Sequence, residues 1–234
     1  MSVNRVIKRE AFIQGAKRAT GVTVIIDVFR AFSVECYLFN NNVESIIPVA
    51  SKEEAYRLKE ENPSFILVGE RDGIKLPGFN YGNSPSEIVN IDFTGKTVVH
   101  TTSAGTQGLE SAENAKVILG GSLVNARATA DFIKANYPNE PVTLIAMGWN
   151  GTQKAEEDEL CAEYLQSLLA NQEVCVLDAV AMLKNTAGKK FFDPEQNHIF
   201  PEEDFWLCID VNRFDTVMQY IKDNDGIGRM KLLL

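Results

Sequence analysis

Residues 22–28 read VTVIIDV, a run of aliphatic and β-branched side chains broken by one carboxylate, Asp27, near its end. A short apolar run without polar alternation reads as a strand buried on both faces. Ala31–Asn40 (AFSVECYLFN) then reads as the helix that follows it. The same alternation runs outward along the chain. Ser45–Val49 and Phe65–Val68 are predicted strands flanking a helix over Lys52–Asn62, for which Ser51 offers an N-cap oxygen. Thr97–His100, Lys116–Leu119 and Val142–Met147 are further predicted strands. Helices are predicted over Thr106–Ala112, from an Asn125 cap to Asn136, and over Ala155–Asn171. Strands alternating with helices predict a layered α/β/α fold around a mixed, largely parallel sheet. The tail is less regular: Gly188–Phe200 reads as loop, Trp206–Asp210 as a short strand and Phe214–Asn224 as a closing helix. No repeat or linker divides residues 1–234, so they read as one domain, or as two small subdomains packed intimately.

The chain has 234 residues and carries a net charge of −9, which argues against nucleic-acid phosphates as partners. An anionic ligand would need a locally positive site, built from arginines, a divalent cation or helix N-termini. The four cysteines Cys36, Cys161, Cys175 and Cys208 form no C-x-x-C pair, the pattern of reduced thiols. The charged N-terminus, MSVNRVIKREAFIQG, has no apolar core of a secretory signal, and no run approaches the ~20 apolar residues of a membrane span. A cytoplasmic protein without membrane contact is expected. Nothing in the pattern separates an interface stripe from a core stripe, which leaves homo-oligomerisation open.

Asp27 closes the first strand, where open α/β sheets place their ligands. It could hold Mg²⁺, attack phosphorus, act as a base, or simply cap the next helix; Arg30 could grip a phosphate. A D-x-D pair, the mark of haloacid-dehalogenase phosphatases, is missing because residue 29 is phenylalanine. Thr101, Thr102, Ser103, Ala104, Gly105 and Thr106 form a hydroxyl-rich turn between a strand and a helix, and could cradle an anion on backbone N–H groups. No G-K-[ST] closes it, so it is not a nucleotide loop. Glu70-Arg71 ends a strand before the Gly/Pro-rich loop Asp72–Pro85, whose length suggests function. Asn125 and Arg127 open a helix, and an arginine there opposes the helix dipole unless it faces an anion. Glu156, Glu157, Asp158 and Glu159 open the long helix; they suit the dipole, yet Glu157 or Asp158 could also reach a metal. His100 and His198 are too scattered for zinc, and His100 reads as a strand or core residue.

Taken in order, VIIDVFRAFSV, GERDGIKLPGFNYGNSPSE, TTSAGTQG, NARATA and AEEDELCAEYL resemble the 2-phosphosulfolactate phosphatase family over about Val24–Leu165. The resemblance implies a layered α/β fold, Mg²⁺ dependence and hydrolysis of (2R)-2-phospho-3-sulfolactate to 3-sulfolactate and phosphate, a step of coenzyme M biosynthesis. Such a substrate carries phosphate, sulfonate and carboxylate groups. Arg30, Arg71, Arg127, Asn125 and the Thr101–Thr106 loop would bind it, with Mg²⁺ on Asp27 and on Glu157 or Asp158. The alternatives are a phosphatase for a related phosphorylated hydroxy acid and a non-catalytic binder of sulfonate or phosphate metabolites.

Overall fold

A computed structural model describes residues 5–172 and 174–233; the first four residues of the charged N-terminus lie outside them. The strands are β1 (Ile7–Ala11), β2 (Gly21–Ile26), β3 (Ser45–Pro48), β4 (Ile66–Arg71), β5 (Ile74–Lys75), β6 (Thr97–Thr101), β7 (Ala115–Gly121), β8 (Val142–Ala146), β9 (Val217–Lys222) and β10 (Gly228–Leu233). They form one sheet in the order β1-β8-β2-β7-β9-β10-β3-β6-β4-β5. β1, β8, β2 and β7 run parallel, as do β3, β6 and β4. The antiparallel hairpin β9–β10 joins the two parallel halves. The α/β/α expectation and the mixed, largely parallel sheet are what the fold displays.

The helices are α1 (Phe12–Arg18), α2 (Ala31–Asn40), α3 (Lys52–Glu61), α4 (Pro85–Ile88), α5 (Gly105–Ser111), α6 (Ala126–Asn136), α7 (Glu156–Leu169), α8 (Leu177–Met182) and α9 (Glu202–Cys208). Pleat alternation sorts the strand side chains into layers. Val22, Val24 and Ile26 of β2 and Leu144 of β8 face α6 and α7, whereas Ile25 and Ile145 face the core shared with α1, α2 and α5. In the other half Ile46, Val68 and Val98 join that same core, while Ile47, Leu67 and Val99 pack on Ala55 and Leu58 of α3.

Two elements of the tail depart from expectation. Phe214–Asn224 is not a helix: its apolar spacing mimics a helical stripe because β9 lies between β7 and β10 and so is buried on both faces. The turn Asp225-Gly226, with Gly226 at φ +79°, is the hairpin signal that belongs to this segment. Nor is Trp206–Asp210 a strand. Pro201 followed by Glu202, Glu203 and Asp204 starts α9, with an acidic first turn suited to the helix dipole. The loop Asp72–Pro85 contains β5 and is fastened by buried Leu76 and Phe79. No helix among the described residues is long and apolar enough to cross a membrane.

β2 and β6 are five strand positions apart, roughly 24 Å in a flat sheet at ~4.8 Å per strand. Yet the Gly105 N–H, four residues past the end of β6, donates to Asp27 Oδ2 at 3.0 Å, one residue past the end of β2. The connection after β6 carries α5 across the sheet face onto β2, with Gly108 against Ile25, and the carboxyl ends of both parallel halves meet at one cleft.

Candidate active site

The cleft is lined by Asp27, Phe29 and Arg30 from the turn after β2; Glu70 and Gly73 from β4 and its turn; Asn83; Ser103 and Ala104 after β6; Gly148, Trp149 and Asn150 after β8; Ala155, Glu157 and Asp158 at the start of α7; and Phe200. About 460 Å³ of space free of protein atoms lies in the cleft and at its mouth, open solvent included.

Asp27 is held from two sides. Its Oδ1 accepts from the Ala31 N–H at 3.1 Å and its Oδ2 from the Gly105 N–H, so two helix N-termini converge on one carboxylate. Residue 105 must be glycine, since a Cβ there would lie 2.8 Å from Ala31 Cβ and 3.0 Å from Asp27 Oδ2. Asp158 is equally committed: Oδ1 accepts from Val28 N–H and Oδ2 from Gly148 N–H, both at 2.8 Å. Gly148 sits at φ +68°, where a side chain would collide with the Gln153 carbonyl. Asp158 thereby ties the ends of β2 and β8 together. Glu157, beside it, is buried and its Oε2 has no hydrogen-bond partner among the described residues. Glu156 is exposed, so the helix turns only its second and third acids into the cleft.

The Thr101–Gly105 loop does not offer the free anion cradle that its composition suggests. The Ser103 N–H donates to Glu70 Oε1 at 2.7 Å and the Ser103 hydroxyl to Glu70 Oε2 at 3.1 Å. Thr102 and Thr106 bond each other through backbone and hydroxyl groups, and the Gly105 N–H serves Asp27. The cradle is real, but its anions are the protein's own carboxylates. Thr101, fully buried, accepts from Arg71 Nη2 at 2.9 Å. Arg71 also donates to the carbonyls of Ala50 and Glu70, which spends its guanidinium on the ends of β4 and β6 rather than on the cleft.

Asn125 and Arg127 are not brought to the cleft. Asn125 is buried and closes a capping box with Ser122, its amide reaching the carbonyls of Gly120 and Thr216. Arg127 is exposed beside a different hollow near Lys134 and Leu168. A first-turn arginine needs no anion when solvent screens its charge. His100 lies in β6, fully buried, with Nδ1 2.9 Å from Glu35 Oε1 and Nε2 3.2 Å from the cleft residue Asn83.

Arg30 does line the cleft, but its Nη1 is paired at 2.6 Å with Asp204, itself fully buried. Asp204 also accepts from the Ser84 hydroxyl at 2.9 Å and the Ser86 N–H at 2.8 Å. Sequence reasoning missed Asp204, which falls between the expected loop Gly188–Phe200 and the expected strand Trp206–Asp210; the Pro-Glu-Glu-Asp helix start was the available signal. It also missed Lys190, Asn83, Trp149 and Phe200. No local motif marks these, because the loops carrying them meet only in the folded chain.

Charge is poorly balanced here. Asp27, Glu70, Glu157 and Asp158 line the cleft, Arg30 is neutralised by Asp204, and Lys190 is a further cation near them. Burial pushes the Asp27 carboxyl up to about 6 against the pull of its backbone bonds to Ala31 and Gly105. It pushes Glu157 up to about 7, with Lys190 opposing. Asp158 is raised too, by burial and then by the charges of Asp27 and Glu157. Buried carboxylates with few counter-charges are a donor set that a bound cation would stabilise. Among the described residues no three acidic, histidine or cysteine side chains converge tightly enough to cage a metal alone. Two carboxylates completed by water and substrate oxygens are a donor set that fits a hard cation such as Mg²⁺.

Comparison with known proteins shows the family to which the chain belongs. A protein of Bacillus subtilis (strain 168) named "Probable 2-phosphosulfolactate phosphatase" is 30% identical over 207 residues, covering 87% of this chain and 89% of its own. One of the same name from Caldicellulosiruptor saccharolyticus is 34% identical over 212 residues, covering 84% and 88%. The family profile described as 2-phosphosulpholactate phosphatase matches residues 8–223, nearly every element that builds the cleft. The chain belongs to the 2-phosphosulpholactate phosphatase family.

Proposed function

We propose that this protein is a Mg²⁺-dependent phosphatase that hydrolyses 2-phospho-3-sulfolactate to 3-sulfolactate and phosphate. The observation that carries the reading is the set of buried, uncompensated carboxylates at the cleft, above all the unpartnered Glu157 Oε2 facing the same space as Asp27. Glu157, with its open oxygen, and Asp27 are the ligand pair: Asp27 and Asp158 each accept two backbone N–H groups, but Asp27 is the more exposed, 7% against 2%. Held there, Mg²⁺ would supply Lewis-acid withdrawal of charge from the phosphoryl oxygens. Each Asp27 oxygen accepts one backbone N–H, which fixes the carboxylate in place and suits it to holding a metal rather than to moving onto phosphorus. Water is then the nucleophile, and the ester oxygen leaves on the hydroxy acid. Trp149, Phe29 and Phe200 form an aromatic wall that limits bulk water. The place of this step in coenzyme M biosynthesis rests on the family resemblance.

Phosphate release from phosphosulfolactate, phospholactate and p-nitrophenyl phosphate is expected with Mg²⁺ and abolished by EDTA. Turnover that ignored EDTA would remove the metal. Tight sulfolactate binding with no turnover on any ester would make the protein a binder instead.

The carboxylates also predict a pH signature. Their folded-state pKa values lie above the unfolded ones near 4, so the native state holds more protons between about pH 4 and 7. Stability of the metal-free protein therefore falls as pH rises through that window. Mg²⁺, which needs the ionised forms, is expected to raise the urea midpoint more at pH 7.5 than at pH 5.5. Equal gains at the two pH values would sever metal binding from these groups.

A further inference from the structure

Lys190 lines a neighbouring hollow with Lys184, Phe192 and Asp193, and its ammonium lies behind the aromatic wall of the cleft. Its ammonium lies 4.5 Å from the ring centre of Trp149, 4.9 Å from Phe200, 5.6 Å from Phe191 and 6.0 Å from Phe29. Trp149, Phe200 and Phe29 are the aromatic wall of the cleft. Lys190 makes no salt bridge among the described residues, although it feels the charges of Glu157, Asp27 and Asp158. Burial, and then Arg30, lower its pKa, so a nearby anion would be a strong stabiliser of its charged form. Arg30, by contrast, is committed to Asp204 and to the Ile199 carbonyl. Of Arg30 and Lys190, Lys190 alone keeps its N–H donors unspent among the described residues.

A substrate bearing two acidic groups besides its phosphate meets a difficulty in this cleft. The ion on Asp27 and Glu157 would compensate the phosphoryl oxygens, but the four carboxylates repel every further negative charge. We propose that Lys190 is the specificity-determining residue that receives the non-ester anion, sulfonate or carboxylate, of the substrate. The proposal rests on the phosphatase reading for its substrate and deepens it. An ammonium in an aromatic setting suits it: a compact point charge asks for no planar bidentate partner, and partial desolvation strengthens its bond to an anion.

The test uses the Mg²⁺-loaded full chain and its Lys190→Met, Lys190→Gln and Lys190→Arg variants. Methionine keeps an apolar stem among the rings, glutamine keeps a neutral donor, and arginine restores the charge. Lost charged hydrogen bonds imply that kcat/KM for phosphosulfolactate falls roughly 10- to 100-fold in the Met and Gln variants, mostly through KM. The loss is expected to exceed that on p-nitrophenyl phosphate, which has no second anion, by about tenfold or more, with Arg recovering most of it. Calorimetry with 3-sulfolactate, which carries sulfonate and carboxylate but no phosphate, should show the same ranking of affinities. Equal losses on both esters, or unchanged sulfolactate affinity, would make Lys190 a mere counter-ion of the carboxylates and overturn the proposal. Failure of the wild type to bind sulfolactate would overturn it as well. If the wild type hydrolysed no ester yet bound sulfolactate through Lys190, the phosphatase reading would fall and this inference would stand.

Discussion

Asp27→Asn is expected to lower kcat/KM by roughly 10³-fold, about 4 kcal/mol of transition-state stabilisation, while the protein remains folded. Asparagine matches the shape of aspartate and can still accept one backbone N–H, so α2 can keep the Ala31 cap at 3.1 Å. It carries no charge for a cation and presents an amide N–H₂ towards the Gly105 N–H, whose bond is lost. That lost bond costs on the order of 1 kcal/mol. Against it stands a gain, because burial already raises the Asp27 carboxyl to about 6 and a neutral side chain escapes that desolvation at pH 7.5. Metal-free stability should therefore change little, and the response to Mg²⁺ should shrink. The measurements are steady-state phosphate release together with urea unfolding, with and without Mg²⁺. A fully active variant would remove Asp27 from the chemistry.

The second large effect falls on stability. Asp204→Ala leaves Arg30, only 4% exposed, without its 2.6 Å partner and frees the Ser84 hydroxyl and Ser86 N–H. Breaking one side of a buried ion pair costs about 3–5 kcal/mol, because the surviving charge keeps its desolvation penalty. For a chain of this length the melting temperature should drop by roughly 6–20 °C. Arg30 would also lose its direction in the cleft. Its remaining contacts, the Ile199 carbonyl at 3.1 Å, the Gly73 carbonyl at 3.4 Å and the Phe200 ring, are weaker constraints. Melting within about 2 °C of wild type would contradict this account. The double variant Asp204→Ala with Arg30→Met is expected to recover part of the loss, since it removes the orphaned charge.

Much of this was legible in residue order. The run VTVIIDV declared a buried strand ending in a carboxylate, and the helix after it followed from periodicity, as did most of the alternating elements. Asp27, Arg30, Ser103, Ala104, Glu157 and Asp158 were all marked by strand-end or helix-start position, and all line one cleft. The tail was not legible in the same way, because a strand inserted between two others shows no alternation to distinguish it from a helix. The partners of the polar groups were also hidden. Hydroxyls and N–H groups after β6 advertise an anion site in any sequence, and nothing local tells that Glu70 and Asp27 occupy it.

By itself, then, the sequence determined the α/β class, the parallel strand ends and the residue types gathered there, because these depend on local periodicity and on side-chain chemistry. Tertiary structure alone decided which of those groups are free. The hairpin β9–β10 joins two parallel halves into one sheet, and the crossover through α5 brings the loop after β6 against the end of β2. Contact across that distance assigns Asp204 to Arg30, Asp158 to the turns after β2 and β8, and Arg71 to Thr101. It leaves Glu157 with an unpartnered oxygen and Lys190 without a salt bridge among the described residues. Hydrogen-bond capacity is spent by whichever group lies within about 3 Å, and that distance is a property of the folded chain rather than of its residue order.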